Sequence, residues 1–132
     1  MQQYRAAARR SQAQKAAQLA LRHQRAWCVA QQAAQILRTD FGVARVVVFG
    51  SVCFRHLFHP HSDVDLAVWG LEESLYYQAV GRLQGLDPDI AVDVIEVEQA
   101  PHALQEVIQQ TGVPLYERRW GSIGESLAYR DH

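Results

Sequence analysis

At 132 residues, the chain has room for one domain with a real core and none for a second. Nearly half its residues are apolar, as in a soluble globular protein, and no apolar stretch approaches the length of a membrane span. The net charge of −1 hides an asymmetry: residues 1–39 carry seven Arg or Lys and no acid, whereas the remainder carries six basic and fourteen acidic residues.

Met1–Arg10 is polar with no hydrophobic segment after it, which does not read as a signal peptide. The two cysteines, Cys28 and Cys53, have no metal-ligand spacing and make no disulfide framework, which points to a reducing cytoplasm. The basic start reads as a solvated helix face, or more sharply as a docking surface for an acidic partner or for nucleic acid.

In chain order, residues 4–38 are rich in Ala, Gln and Arg without Gly or Pro, so helix propensity is high throughout. Leu19, His23, Trp27, Ala30, Ala34 and Leu37 recur at helical spacing, whereas the first ten or so residues lack large apolar anchors and are expected to fray. Residues 39–42 end the helix, and 43–49 follow as a buried strand. A short helix is expected from Ser51 until Pro60 breaks it, then a strand over 63–69 and a helix over 72–83. Gly85–Asp89 reads as a turn, 90–97 as a third strand and 101–110 as a short helix. Val113–Tyr116 suits an edge strand because it contains Pro114. The expected organisation is α/β: a basic N-terminal helix (1–38) packed on a core with a small mixed sheet flanked by helices (39–117), and a loose tail (118–132).

Residues 49–69 carry the chemistry. An apolar run, Val46–Phe49, stops at Gly50-Ser51, and a second opens with Asp63 and Asp65. A strand that turns sharply after a glycine lets the backbone approach a phosphate closely, and a serine hydroxyl adds a donor. On a strand, residues i and i+2 share a face, so Asp63 and Asp65 point one way while Val64, Leu66 and Val68 fill the other. Adjacent carboxylates repel, and a cation neutralises that repulsion. A third acid, Asp93, lies inside Ala-Val-Asp-Val-Ile, where burial would demand a partner or a metal. If the second and third strands are neighbours, all three acids face one cleft. Carboxylate oxygens together with phosphate suit Mg²⁺. His56, His59 and His61 match no tetrahedral zinc pattern and read as a polar loop. Trp27, Trp69, Tyr76 and Tyr77 read as core or rim aromatics.

The run Phe-Gly-Ser…Ser-Asp-Val-Asp-Leu-Ala-Val, with Val-Asp-Val-Ile further on, resembles the DNA polymerase β-type nucleotidyltransferase superfamily. Length and layout are similar to its minimal nucleotidyltransferases (MNT), the antitoxins paired with HEPN-domain toxins, over residues 27–117. The resemblance implies that Gly50, Ser51 and Ser62 bind the nucleotide. It also implies that Asp63, Asp65 and Asp93 are the catalytic acids and hold two Mg²⁺ ions. The implied chemistry is transfer of AMP from ATP to a tyrosine hydroxyl of a cognate HEPN RNase toxin in a hetero-oligomer, with no membrane and no direct nucleic-acid binding. One feature departs from the family pattern: Cys53-Phe54-Arg55-His56 stands where an Arg-Gly is common, so the loop has to turn without that glycine. Two other readings remain open, a non-catalytic binding module and a small-molecule nucleotidyltransferase needing a partner chain.

Overall fold

The structure, a computed structural model, describes residues 2–118. The expected tail lies, from residue 119 on, outside the described residues. Helix α1 runs without a break from Gln2 to Phe41. Its start is helical where fraying was expected, because an Ala-rich stretch with no Gly or Pro needs no tertiary support to favour that state. It stops at Gly42, whose φ of 63° turns the chain out of the helix, and the Val43 N–H bonds back to the Leu37 carbonyl. Ala26, Val29, Ala30, Ala33, Ala34 and Leu37 form its buried face, mostly small residues that let the helix lie close to the sheet. Residues 7–18 are all exposed, so the basic end of α1 projects past the body. Among the described residues, no helix is long and apolar enough to cross a membrane.

Four strands form one mixed sheet in the order β3-β2-β1-β4: β1 Arg45–Phe49, β2 Val64–Trp69, β3 Val92–Glu96 and β4 Val113–Glu117. Strand β1 pairs antiparallel with β2 and with β4, whereas β2 and β3 run parallel. Pro114 sits on edge strand β4, where its missing N–H costs no ladder bond, and a bulge between Val46 and Val47 adjusts the register beside it.

The alternation of the strands sorts the two faces. Val46, Val48, Val64, Leu66, Val68, Val92 and Val94 pack beneath α1 and helix α2 (Tyr76–Gln84). Val47, Phe49 and Ala67 form a smaller cluster on the opposite face with Ile108 of α3 (His102–Thr111). The helix expected over 72–83 begins instead as a 3₁₀ turn, Glu73–Leu75, before α2. Of the aromatics read as core or rim, Tyr77 is 86% exposed, because the helix face that buries Ala79 and Leu83 turns it outward. Tyr76 is partly buried and donates to the Val94 carbonyl at 3.1 Å.

Edge strand β3 is finished by a side chain. The Gln84 carboxamide accepts from the Val92 N–H at 3.2 Å and donates to the Val92 carbonyl, doing the work of a neighbouring strand at one residue. At the other side of the sheet, Gly112 joins α3 to β4 under crowding. A Cβ there would stand 2.3 Å from Val47 Cγ1 and 2.6 Å from the Ile108 carbonyl oxygen. Gly112→Ala is therefore expected to destabilise the domain by about 1–3 kcal/mol, a melting shift on the order of 3–10 °C in a thermal scan.

Candidate active site

The site is built where β1 ends beside the start of β2. Phe49 pairs with Asp65, and the next residue, Gly50, adopts φ 82°. A Cβ on Gly50 would stand 2.5 Å from Asp65 Oδ2, so glycine is required here twice, by its conformation and by the carboxylate leaning on it. The chain then makes a single 3₁₀ turn, Gly50–Cys53, rather than the longer helix expected from Ser51. Val52 is buried under that turn, and its carbonyl accepts a 2.7 Å hydrogen bond from Nε2 of His23 on α1. Ser51 is half-buried at the turn. Burial, and to a lesser extent the Asp65 charge, pushes the Cys53 thiol above its ordinary range.

Asp65 is the half-buried acid of the three. Burial, then the charges of Asp93 and Asp63, push its carboxyl up to about 6. Asp93 stands directly across from it in the parallel β2–β3 register, so the adjacency expected from sequence holds. One expectation fails: Asp93 is exposed. It is the second residue of a short edge strand, and the desolvation attributed to it falls on Asp65 instead.

Asp63 lies one residue before β2 and is also exposed. Its Oδ1 accepts from the Ala91 N–H at 3.1 Å and is 3.7 Å from a guanidinium nitrogen of Arg22.

The connecting loop solves its missing-glycine problem with ordinary turns and one anchor. The Phe54 N–H bonds to the Ser51 carbonyl and the Phe58 N–H to the Phe54 carbonyl. Phe58 is buried edge-on against His23, ring centroids 4.7 Å apart. Ser62 is buried, and its hydroxyl oxygen accepts from the His59 N–H at 2.9 Å, so this side chain is engaged in holding the loop. The His61 N–H donates to His59 Nδ1, which ties these two histidines to loop geometry as well.

Helix α1 contributes residues that the sequence places only on its apolar stripe, His23, or in its basic charge, Arg22 and Arg25. Arg22 reaches the Ser62 and Asp89 carbonyls, His23 holds Val52, and Arg25 grips Asp87 with two nitrogens, at 2.7 and 3.2 Å. On the helix the two arginines are ordinary polar residues of a basic face. Only their position over the loop that leads into β2 makes Arg22 and His23 part of the site, whereas Arg25 ties down the turn at Asp87.

Three carboxylates with hard oxygen donors, one raised in pKa by burial and then by the charges of the other two, are the chemistry that a divalent cation relieves, so the donor set fits Mg²⁺. The residues that would hold it are Asp63, Asp65 and Asp93. As they stand, no three His, Cys, Asp or Glu side chains among the described residues are gathered closely enough to enclose an ion. Asp63 is held by the Ala91 N–H.

Solved structures share this fold at low identity. An MntA–HepT toxin–antitoxin complex matches with TM-score 0.54 and 17% identity, over 80% of this chain and 87% of that one. A toxin–antitoxin complex with AMP-PNP matches at TM-score 0.56 and 20% identity, over 74% and 78%. A third contains tri-AMPylated Shewanella oneidensis HEPN toxin in complex with MNT antitoxin, at TM-score 0.54, 17% identity and the same 80% and 87% coverage. No curated protein matches the chain. The family model described as Polymerase beta, Nucleotidyltransferase matches residues 31–120, which span the whole sheet and the three acids. The chain belongs to the polymerase β nucleotidyltransferase family.

Proposed function

We propose that this protein is an antitoxin of the MNT kind, transferring AMP from Mg-ATP to a tyrosine hydroxyl of a cognate HEPN RNase toxin and so silencing it. The observation that carries this reading is the pairing of Asp65 with Asp93 on adjacent parallel strands, directly beside the Gly50 turn. The likeness to complexes that hold AMP-PNP or an AMPylated HEPN toxin supports the choice of nucleotide and partner.

Each residue then has a task. The Gly50-Ser51 turn offers close backbone approach and a hydroxyl to the triphosphate. Asp63 and Asp65, with Asp93 beside them, would hold the metal, and Ser62 keeps the loop in place behind them. Asp93, open to solvent at the edge of the sheet, faces the incoming acceptor. A tyrosine phenol loses its proton only near pH 10 in water, so a carboxylate placed to accept that proton assists attack on the α-phosphorus. The new O–P bond forms as the bond to the leaving pyrophosphate breaks. Magnesium, when bound, neutralises phosphate charge and eases ionisation of the hydroxyl.

The test mixes the chain, Mg²⁺ and ATP labelled at the α-phosphate with the protein encoded beside it. Label on that protein is the expected result; label on a small molecule, or tight binding with no label, overturns the reading. Asp65→Asn is expected to lower transfer by at least about 100-fold while the fold survives.

The same variant carries a pH prediction. A carboxyl raised to about 6 from its ordinary value of 3.8 favours the folded state below about pH 4, and that contribution is lost as pH rises through 6. Without metal, Asp65→Asn should therefore melt higher than the wild type at pH 7 and converge with it near pH 4. The gap, reduced by solvent screening at a partly exposed site, is on the order of 1–2 kcal/mol, or about 3–8 °C. Paired melting curves at pH 4, 5, 6 and 7 check it.

A further inference from the structure

We infer that Arg22 of α1 is a positioning residue for the catalytic acids: its guanidinium fixes the two loops that deliver Asp63 and Asp65 on one strand and Asp93 on the next. The inference rests on the reading of these three acids as the metal-binding set.

Strands β2 and β3 are parallel neighbours, and parallel strands have no hairpin turn to fix their register. Here the chain between them passes through the whole of α2. A slip of one residue would turn the paired acid to the other face of the sheet. Burial of Val92 and Val94 sets which face Asp93 takes, and what remains to be fixed is how the loops ahead of the two strands are held to each other.

Arg22 is placed to hold them. One of its terminal nitrogens, Nη2, donates to the Ser62 carbonyl at 2.8 Å and to the Asp89 carbonyl at 2.9 Å. Ser62 is three residues ahead of Asp65, and Asp89 is four ahead of Asp93. The same nitrogen is 3.7 Å from Asp63 Oδ1. Just beyond, the two chains are joined again, the Val64 N–H to the Ala91 carbonyl and the Ala91 N–H to Asp63 Oδ1.

The side chain is held for this purpose at some cost. It is only 16% exposed, and its Nε is buried with no hydrogen-bond partner. A merely solvated arginine of a basic helix face would keep every nitrogen in water. Arg25, one turn further along α1, makes the contrast: 46% exposed, it grips Asp87 and Asp89 and touches none of the three acids.

The test is calorimetric titration of the full chain with Mn²⁺ in the presence of AMP-PNP, comparing the wild type with Arg22→Gln, Arg22→Lys and Arg25→Gln. Loss of a residue that positions metal ligands typically weakens binding 10–100-fold. Arg22→Gln is expected to weaken Mn²⁺ by about tenfold or more. Arg22→Lys, which keeps the charge on a shorter stem, should recover part of that loss, at about three- to fivefold weaker than wild type. Arg25→Gln should lower the melting temperature without moving the Mn²⁺ affinity, as any purely structural tie would.

Wild-type affinity in both Arg22 variants overturns the inference, as does an equal loss in Arg25→Gln. If Arg22→Gln does not fold, Arg22→Lys decides alone. A wild type that takes up no Mn²⁺ overturns the reading of the acids themselves, which separates the two failures.

Discussion

The site depends on one constraint, the crowding of negative charge where β2 and β3 meet. Asp65 sits half-buried opposite Asp93, with Asp63 two residues behind it, and burial together with those charges pushes its carboxyl up to about 6. Such an arrangement works against folding in a domain of this size, where total stability is only some 5–15 kcal/mol. It persists because the surrounding structure over-determines it: α1 covers one face of the sheet, α3 the other, and a glycine gives the acid room to lean.

Helix α1 serves two functions along its length. Its C-terminal part is a packing element whose alanines lie flat against the valines of the sheet. Its middle turn carries the polar residues that reach across to the loops, Arg22 to the strand entrances, His23 to Val52 behind the glycine turn, and Arg25 to Asp87. Its N-terminal part projects free of the body with its positive charge. The element that closes the core is therefore also the one tied to the loops that carry the acids, so packing and the geometry of the candidate site are not independent in this fold.

Much of this was legible in the residues. Period-two alternation in Val-Asp-Leu-Ala-Val assigned the faces of β2 correctly, since a strand with one face in the core has little freedom of register. Pro114 marked the edge strand for a simple reason, its missing donor. The burial of Asp93 was misjudged because an apolar sequence context looks the same in a central strand and in a short edge strand; only sheet order tells them apart. The helix expected after Ser51 shrank to one turn because Phe58 is drawn into the core against His23, a contact 35 residues apart in sequence that no local pattern announces. Arg22 was invisible for the same reason, as its partners lie 40 and 67 residues away.

The contact between Gly50 and Asp65 has a wider consequence. Positions fifteen apart in the chain share one small volume, filled by a carboxylate oxygen where any other residue would place a carbon. The identity of residue 50 is thus tied to the geometry at 65, and the two cannot vary independently: shortening the acid alone would leave a void beneath the turn, and enlarging the glycine alone would displace the oxygen. Descendants of this sequence that keep the acid are confined to glycine at the bend by both constraints, while those that give it up relieve the crowding and keep only the demand of the positive φ.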